Sequence, residues 1–231
     1  MRSSSRRCVV LFARAPRAEA RRKSLPAAEA LFRAVARHVR QEVARLRRVD
    51  LLCCTPGTSP MADGHGIPQR GGDFASRLAH AFADARALGY DEVVVVPGDV
   101  PGLDAPTISR AFERLRATPV VLGPSPDGGV YLIGCRGPAD DLLAGVRWCS
   151  AHVMRDLLER APCAAVLDRR RDVDGARDLA RLRQEQSVPW SLRALLTLPS
   201  RPAASIAFAA VPMRGRVAAT PDPPRGPPVL H

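Results

Sequence analysis

Short unbroken apolar runs alternate along the chain with longer stretches in which apolar residues recur every three or four positions. The short runs are rich in valine, leucine, cysteine and phenylalanine, and the clearest occupy residues 8–13, 49–55 and 92–97. Continuous apolar runs of this length predict strands that are buried on both faces, as in a parallel sheet. The run at 92–97 contains four consecutive valines and predicts the central strand.

The longer stretches predict helices that cover this sheet. Residues 26–46 carry apolar side chains along one helical face and arginines on the opposite face. Further helices are predicted at 74–88, from Asp104 as N-cap to about residue 116, at 150–160 and at 175–183, with further strands at 119–122, 130–135 and 163–167. Segments 14–25 and 56–68 are predicted loops. This alternation predicts an α/β fold, a three-layer sandwich with a mostly parallel sheet.

The composition changes near residue 187. Proline, alanine and arginine dominate from there on, and the proline-rich run at 221–228 cannot form a packed element. The sequence therefore predicts one domain over residues 1–186, followed by a largely disordered tail over 187–231.

The cysteines and the apolar runs bear on the compartment of the protein. The six cysteines contain no Cys-x-x-Cys pair and most lie in or beside apolar runs, which predicts reduced, buried thiols and a cytoplasmic location. Apolar runs stay well short of the roughly 18–20 residues that a membrane span requires. The basic start leads only into the short run 8–13, which is too short for a signal peptide.

The formal net charge of +12 raises the question of nucleic-acid binding. Arginines are scattered over the predicted helices, however, and aromatic residues make up only 4% of the chain, too few for a basic surface with interleaved stacking residues. The charge therefore favours an anionic small molecule over a nucleic acid. Lys23 is the only lysine in the sequence.

Candidate chemistry follows the predicted strands. In an open parallel sheet, ligands bind beyond the carboxyl ends of the strands. Asp99 lies just past the valine-rich strand, between Gly98 and Pro101. A carboxylate at this place could bind Mg²⁺ or Mn²⁺, which in turn bridges nucleotide phosphates, or it could cap a turn.

A second acidic pair, Asp172 and Asp174, follows the strand predicted at 163–167. Two residues one position apart on an extended segment point the same way, so both carboxylates can face one cation. The alternative is that one of them caps the helix predicted at 175–183.

Two glycine-containing loops allow similar pairs of interpretations. Asp127, Gly128 and Gly129 either let a bound acceptor approach the backbone closely or form a hairpin turn. Asp73, just ahead of the helix predicted at 74–88, either belongs to an anion-binding helix start or is an ordinary N-cap.

The order of these motifs is more specific than any one of them. The chain reads Phe-Ala-Arg-Ala-Pro at 12–16, Gln-Arg-Gly-Gly-Asp-Phe-Ala-Ser-Arg-Leu at 69–78, Gly-Asp-Val-Pro-Gly-Leu at 98–103, Leu-Gly-Pro-Ser-Pro-Asp-Gly-Gly-Val-Tyr-Leu-Ile-Gly at 122–134, Trp-Cys-Ser at 148–150 and Asp-Val-Asp at 172–174. Over about residues 8–182 this series resembles a bacterial family of GT-A-fold, nucleotide-diphosphosugar transferase-like glycosyltransferases of the radical-SAM or selenodomain-associated type. It is also similar to molybdenum-cofactor and phospholactate guanylyltransferases.

The resemblance implies roles for individual residues. Asp99 would be the metal-binding aspartate, with Asp174 and Asp172 as further carboxylates that hold Mg²⁺ or Mn²⁺. The remaining residues divide between the nucleotide and the acceptor: Asp73 and Arg77 near the nucleotide, Lys23 or a nearby arginine such as Arg14 on its phosphates, and Asp127, Gly128, Gly129 and Trp148 on the acceptor side. Asp127 is also the one candidate for a general base.

The first loop departs from the family pattern. The family usually has Ala-Pro, a Pro-Gly pair and then Lys-Thr-Arg-Leu, whereas residues 17–25 of this chain lack that proline and that glycine. Lys23 nevertheless remains as a candidate contact for phosphate.

The resemblance implies a metal-dependent glycosyltransferase that takes a nucleotide-activated sugar donor and a small-molecule acceptor. One alternative is a guanylyltransferase-like nucleotidyltransferase that uses a nucleoside triphosphate and a small phosphorylated or carboxylated acceptor. A second alternative, suggested by the altered first loop, is a catalytically inactive relative that serves as a binding or scaffold protein.

Overall fold

The valine-rich run predicted as the central strand lies in the middle of a seven-stranded sheet in the computed structural model, which describes residues 5–56 and 65–197. The strands are β1 (Arg7–Phe12), β2 (Asp50–Thr55), β3 (His65–Pro68), β4 (Glu92–Pro97), β5 (Val120–Pro124), β6 (Val130–Arg136) and β7 (Ala165–Val166). The helices are α1 (Pro16–Arg22), α2 (Glu29–Ala44), α3 (Phe74–Ala87), α4 (Ala105–Leu115), α5 (Asp140–Leu143), α6 (Val153–Arg160), α7 (Ala176–Leu182) and α8 (Trp190–Arg193), with 3-10 helices at Pro26–Ala28 and Ala194–Thr197.

The strand order is β3-β2-β1-β4-β6-β5-β7. β6 runs antiparallel to both β4 and β5, and the other neighbouring pairs are parallel. The three strands predicted most clearly are adjacent, as β2, β1 and β4. The predicted α/β fold with a mostly parallel sheet is therefore confirmed.

Each face of the sheet carries its own helices because alternate strand residues point to opposite sides. On one face Val10 of β1 and Val95 of β4 pack with α3, α5 and α6. On the other face Val9 and Val94 pack with α2 and α4. Both faces are thus apolar and covered, which explains why the strand sequences show no polar alternation.

Two segments predicted as loops contain regular structure. Residues 16–22 form α1, because Pro16 occupies the first turn and helix-forming alanine, glutamate and arginine residues follow it. Residues 65–68 form β3, an edge strand that ends in Pro68, where a missing backbone N–H costs no ladder bond. The predicted helix at 26–46 also divides into a 3-10 turn and α2.

The packed structure continues past residue 186, where the sequence predicted the domain to end. Val188, Leu192 and Leu196 are buried in a third apolar cluster with Leu31 and Phe32 of α2. The predicted tail therefore starts too early, because its first 11 residues, 187–197, include a helix and a 3-10 helix whose apolar side chains pack on α2. Residues 198–231, the rest of the predicted tail, lie outside the described residues.

No helix in the described ranges is both long enough and apolar enough to cross a membrane. The cysteine prediction is correct for four thiols and wrong for two. Cys8, Cys53, Cys54 and Cys135 are buried, whereas Cys149 and Cys163 are exposed, and all six are free thiols.

Candidate functional site

A cleft of about 530 Å³ opens at the carboxyl ends of β1 and β4. Its lining combines acidic, basic and aromatic side chains from segments far apart in sequence. Of the predicted site residues, the cleft brings together Arg14, Arg77, Asp99, Asp127, Gly129, Trp148, Asp172 and Asp174. This is the sheet edge at which open α/β folds bind ligands.

Asp99 is placed at this edge by the end of β4. The strand stops at Pro97, and at the next residue, Gly98, a Cβ atom would lie 2.9 Å from the Cβ of Ala13. A side chain here would push apart the segments that follow β1 and β4, so glycine allows them to approach. The Asp99 side chain, only 13% exposed, follows directly from this close contact.

The acidic segment 172–174 is hydrogen-bonded to Asp99 through the backbone. The backbone N–H of Val173 donates to the backbone carbonyl of Asp99 over 2.9 Å, and the Val173 side chain is fully buried. Asp172 and Asp174 flank this buried residue and both line the cleft. Carboxylate oxygens of Asp99, Asp172 and Asp174 lie within 4.8 Å of one another. The expected proximity of Asp99 and Asp174 is therefore observed.

Lys23 lies among these carboxylates instead of reaching out into the cleft. Its Nζ donates to Oδ2 of Asp99 and, over 2.9 Å, to Oδ1 of Asp174. The Glu19 carboxylate is 3.8 Å away, and the Lys23 side chain is only 2% exposed. Acidic groups held this closely need a positive charge between them, and Lys23 supplies one.

Burial and mutual repulsion alter the protonation of the cluster. Burial raises the pKa of the Asp172 carboxyl to about 7, and the charges of Asp99 and Asp174 act in the same direction. Burial also raises the pKa of Asp99, although the Lys23 ammonium opposes this shift. Near neutral pH Asp172 therefore carries a proton part of the time, and a bound cation would favour its ionised form.

The cluster fits a divalent metal ion on two counts. Three carboxylates converge, the donor type that Mg²⁺ and Mn²⁺ prefer. In addition, Oδ1 of Asp99 is buried and has no hydrogen-bond partner among the described residues. A buried acceptor without a partner is costly, so this oxygen is well suited to contact a cation.

Part of the cleft lining, here called the aromatic wall, consists of Phe12, Phe74 and Trp148. Phe74 packs edge-on against Phe12 with ring centroids 5.8 Å apart, and it contacts Trp148 at 5.2 Å. The indole N–H of Trp148 and Nε of Arg77 are buried without hydrogen-bond partners among the described residues. This wall therefore offers flat apolar surface together with two unused donors.

The Asp127 loop is a hairpin turn between β5 and β6, the alternative considered from the sequence. Its carboxylate accepts a hydrogen bond of 3.0 Å from the Gly129 N–H. Gly128 has φ of +90°, and a Cβ atom there would lie 2.2 Å from the carbonyl oxygen of Ala151. Asp127 and Gly129 line the cleft, whereas Gly128 serves the turn and lies outside that lining.

Asp73 is also accounted for by local structure. Its carboxylate accepts a hydrogen bond of 2.7 Å from the Ser76 N–H, which caps α3, and it lies outside the cleft lining. Asp168, the neighbouring acid at the end of β7, pairs with Arg110 at 2.8 Å and is 76% exposed. Its carboxylate belongs to the surface and not to the cluster.

Three further cleft residues, Glu19, Phe12 and Phe74, were not predicted from the sequence. Glu19 lies four positions before Lys23, a spacing that brings side chains together on a helix. The signal was hidden because residues 14–25 were predicted as a loop. The two phenylalanines are indistinguishable in sequence from core residues, since each adjoins a strand or helix with a buried face.

Residues 33–150, just over half of the chain, match a family described as "Uncharacterized protein conserved in bacteria (DUF2064)". No protein with a curated description matches the chain.

Solved structures show the same fold. A candidate nucleotide-diphospho-sugar transferase from Desulfovibrio desulfuricans is 28% identical, with a TM-score of 0.73 over 84% of this chain and 95% of that protein. Rv0371c of Mycobacterium tuberculosis, in complex with manganese, is 19% identical, with a TM-score of 0.52 over 76% and 97%. A CMP:2-keto-3-deoxy-manno-octonic acid synthetase in complex with CTP is 14% identical, with a TM-score of 0.51 over 84% and 99%.

Proposed function

This chain belongs to the DUF2064 family of bacterial proteins, and we propose that it is a metal-dependent glycosyltransferase that uses a nucleotide-activated sugar donor. The observation that carries the proposal is the convergence of Asp99, Asp172 and Asp174 at the carboxyl end of β4. The described fold and the 28% identity to a candidate nucleotide-diphospho-sugar transferase support the choice of donor.

In this proposal the carboxylates would hold Mg²⁺ or Mn²⁺, which would supply positive charge for the departing nucleoside diphosphate. A structural neighbour of similar fold was solved with manganese, which supports a divalent ion in this kind of cleft. The protein's own residues mainly bind and orient the reactants, as in other transfers from nucleotide donors.

Cationic residues at the cleft would receive the donor phosphates. Arg14 and Arg77 both line the cleft, and neither forms a salt bridge within residues 5–56 and 65–197. The aromatic wall of Phe12, Phe74 and Trp148 would bind an apolar or flat part of the substrates. Asp127, at the rim of the same cleft, is the candidate to orient the acceptor hydroxyl.

The proposal is tested by thermal-shift screening against nucleotide-sugars and nucleoside triphosphates, each with Mn²⁺, with Mg²⁺ and with EDTA. Sugar transfer predicts stabilisation by a nucleotide-sugar that disappears in EDTA, because binding to the native state raises its stability. Incubation with that donor should then release a nucleoside diphosphate, with the sugar passing to an added acceptor or, without one, slowly to water. Release of pyrophosphate from a triphosphate would instead establish the nucleotidyltransferase alternative, and absence of any metal-dependent ligand would favour the scaffold.

A further inference from the structure

The single lysine of the chain occupies an unusual place, and we propose that Lys23 is a positioning residue of the metal site. Its ammonium group holds one oxygen each of Asp99 and Asp174, which leaves their other oxygens and Asp172 for the divalent cation. The inference rests on the metal site of the proposed function and assigns Lys23 to the carboxylates rather than to donor phosphate.

The contacts of Lys23 are those of a built-in counter-ion. An ammonium group has three N–H donors, and two of them are directed at Asp99 Oδ2 and Asp174 Oδ1. A third carboxylate, that of Glu19 four residues earlier in α1, lies 3.8 Å from Nζ. Within residues 5–56 and 65–197, both hydrogen-bond acceptors of Nζ are therefore carboxylates.

The Lys23 side chain is also almost fully buried. It is 2% exposed, and Nζ lies 6.0 Å from the centre of the Phe32 ring. Burial works to lower the pKa of Lys23, but the Asp99 and Asp174 carboxylates outweigh it and raise the pKa above its ordinary value. The group is therefore charged, and moving it to a phosphate would leave the largely buried Asp99 carboxylate, with the half-exposed Asp174 beside it, without a cation.

The two carboxylate oxygens of Asp99 differ in their surroundings. Lys23 engages Oδ2, while Oδ1 of the same carboxylate is buried and unpartnered among the described residues. A carboxylate anchored through one oxygen presents the other in a fixed direction. Groups that orient metal ligands in this way commonly change metal affinity by roughly ten- to a hundredfold when they are replaced.

The first test compares Mn²⁺ binding by wild type and Lys23→Met, measured by electron paramagnetic resonance of free Mn²⁺ without nucleotide. Removing a positive charge should by itself tighten binding of a cation. We expect the opposite, a loss of about tenfold or more, because the carboxylates are no longer oriented. The matched control is Arg21→Met, which removes an exposed positive charge from the same helix and should leave the affinity unchanged or slightly higher.

Unchanged or tighter Mn²⁺ binding by Lys23→Met would overturn the inference, since Lys23 would then compete with the metal or serve another group. A second measurement uses the wild-type protein, in case the variant does not fold. Because Lys23 is the only lysine, ¹⁵N-lysine labelling of the untagged chain gives one side-chain ammonium signal. We expect that signal to stay protected from solvent exchange when MgCl₂ is added to saturation. Loss of protection would show that the metal displaces Lys23.

These measurements need no substrate and no turnover. A loss of Mn²⁺ affinity in Lys23→Met would support the inference even if no sugar transfer were found. Conversely, transfer activity combined with undiminished Mn²⁺ binding in Lys23→Met would leave the proposed function intact and remove this role of Lys23.

Discussion

Burial divides the cysteine residues into two groups with different chemistry. Burial raises the pKa of Cys8, Cys54 and Cys135 to about 12, and it also raises that of Cys53. The thiolate is the reactive form, so at pH 8 these buried thiols are both inaccessible and protonated. An aromatic disulfide reagent should therefore titrate two thiols in the native protein at pH 8 and six in denaturant.

Replacing Cys149 and Cys163 by serine should abolish the rapid reaction, whereas rapid labelling of a third thiol would contradict the described burial. The two exposed thiols also report on the cleft. Cys149 lines it and Cys163 does not, so a metal-nucleotide that occupies the cleft should slow the labelling of Cys149 alone.

Gly128 forms the turn between Asp127 and Gly129, which both line the cleft. Its φ of +90° is unfavourable for any residue with a side chain, and a Cβ atom would meet the Ala151 carbonyl at 2.2 Å. Gly128→Ala should lower the free energy of unfolding by about 1–3 kcal/mol, measured by urea denaturation. Gly72→Ala is the control, because a Cβ at Gly72 meets nothing within 4 Å, and an equal loss there would refute the argument.

At the scale of elements, the helix after residue 189 should contribute to stability. Leu192 is buried against α2, whereas Trp190 on the same helix is 83% exposed. Leu192→Ala should destabilise the protein by about 2–4 kcal/mol, the usual cost of a buried cavity. Trp190→Ala should change stability by less than about 0.5 kcal/mol.

Truncation after Gln186 should lower the melting temperature for the same reason, since it removes Val188, Leu192 and Leu196 from the cluster. An unchanged melting temperature, or equal effects of the two alanine substitutions, would mean that this segment does not pack as described. Differential scanning calorimetry of the truncated chain and both variants makes this comparison directly.

The elements that the sequence predicts well are those with strong local signals. β4 agrees residue for residue with the predicted 92–97, because four consecutive β-branched valines between Glu92 and Pro97 strongly favour a strand. α4 follows its predicted cap, since the Asp104 carboxylate accepts from the Thr107 N–H. By contrast, α1, β3 and α8 are short. Whether such short segments form a helix or a strand depends on tertiary contacts that the sequence does not reveal.

The same distinction applies to the candidate site. Asp99, Asp172 and Asp174 could be predicted because each follows a recognisable strand, and such positions share one edge of the sheet. The place of Lys23 could not, because it depends on α1 and on the approach of two distant carboxylates. Asp73 and Gly128 carry motif letters, but their contacts are those of a helix cap and a turn.

At the scale of the whole molecule, a fold with strand ends meeting at one edge brings three distant acids and an aromatic wall into one cleft. The cleft combines a negative cluster that suits a metal with unpartnered N–H donors and aromatic rings that suit an anionic or flat ligand. In the proposed function, metal and nucleotide bind this cleft together through Asp99.

The most direct test is calorimetric titration of a nucleotide-sugar identified by screening into wild type and Asp99→Asn, each with Mn²⁺ and with EDTA. The variant keeps the shape of the side chain and removes its charge. Asp168→Asn is the matched control, because Asp168 lies on the surface and pairs with Arg110. The proposed metal site predicts Mn²⁺-dependent binding by wild type and Asp168→Asn, and its loss in a folded Asp99→Asn. Equally tight Mn²⁺-dependent binding by Asp99→Asn would contradict it.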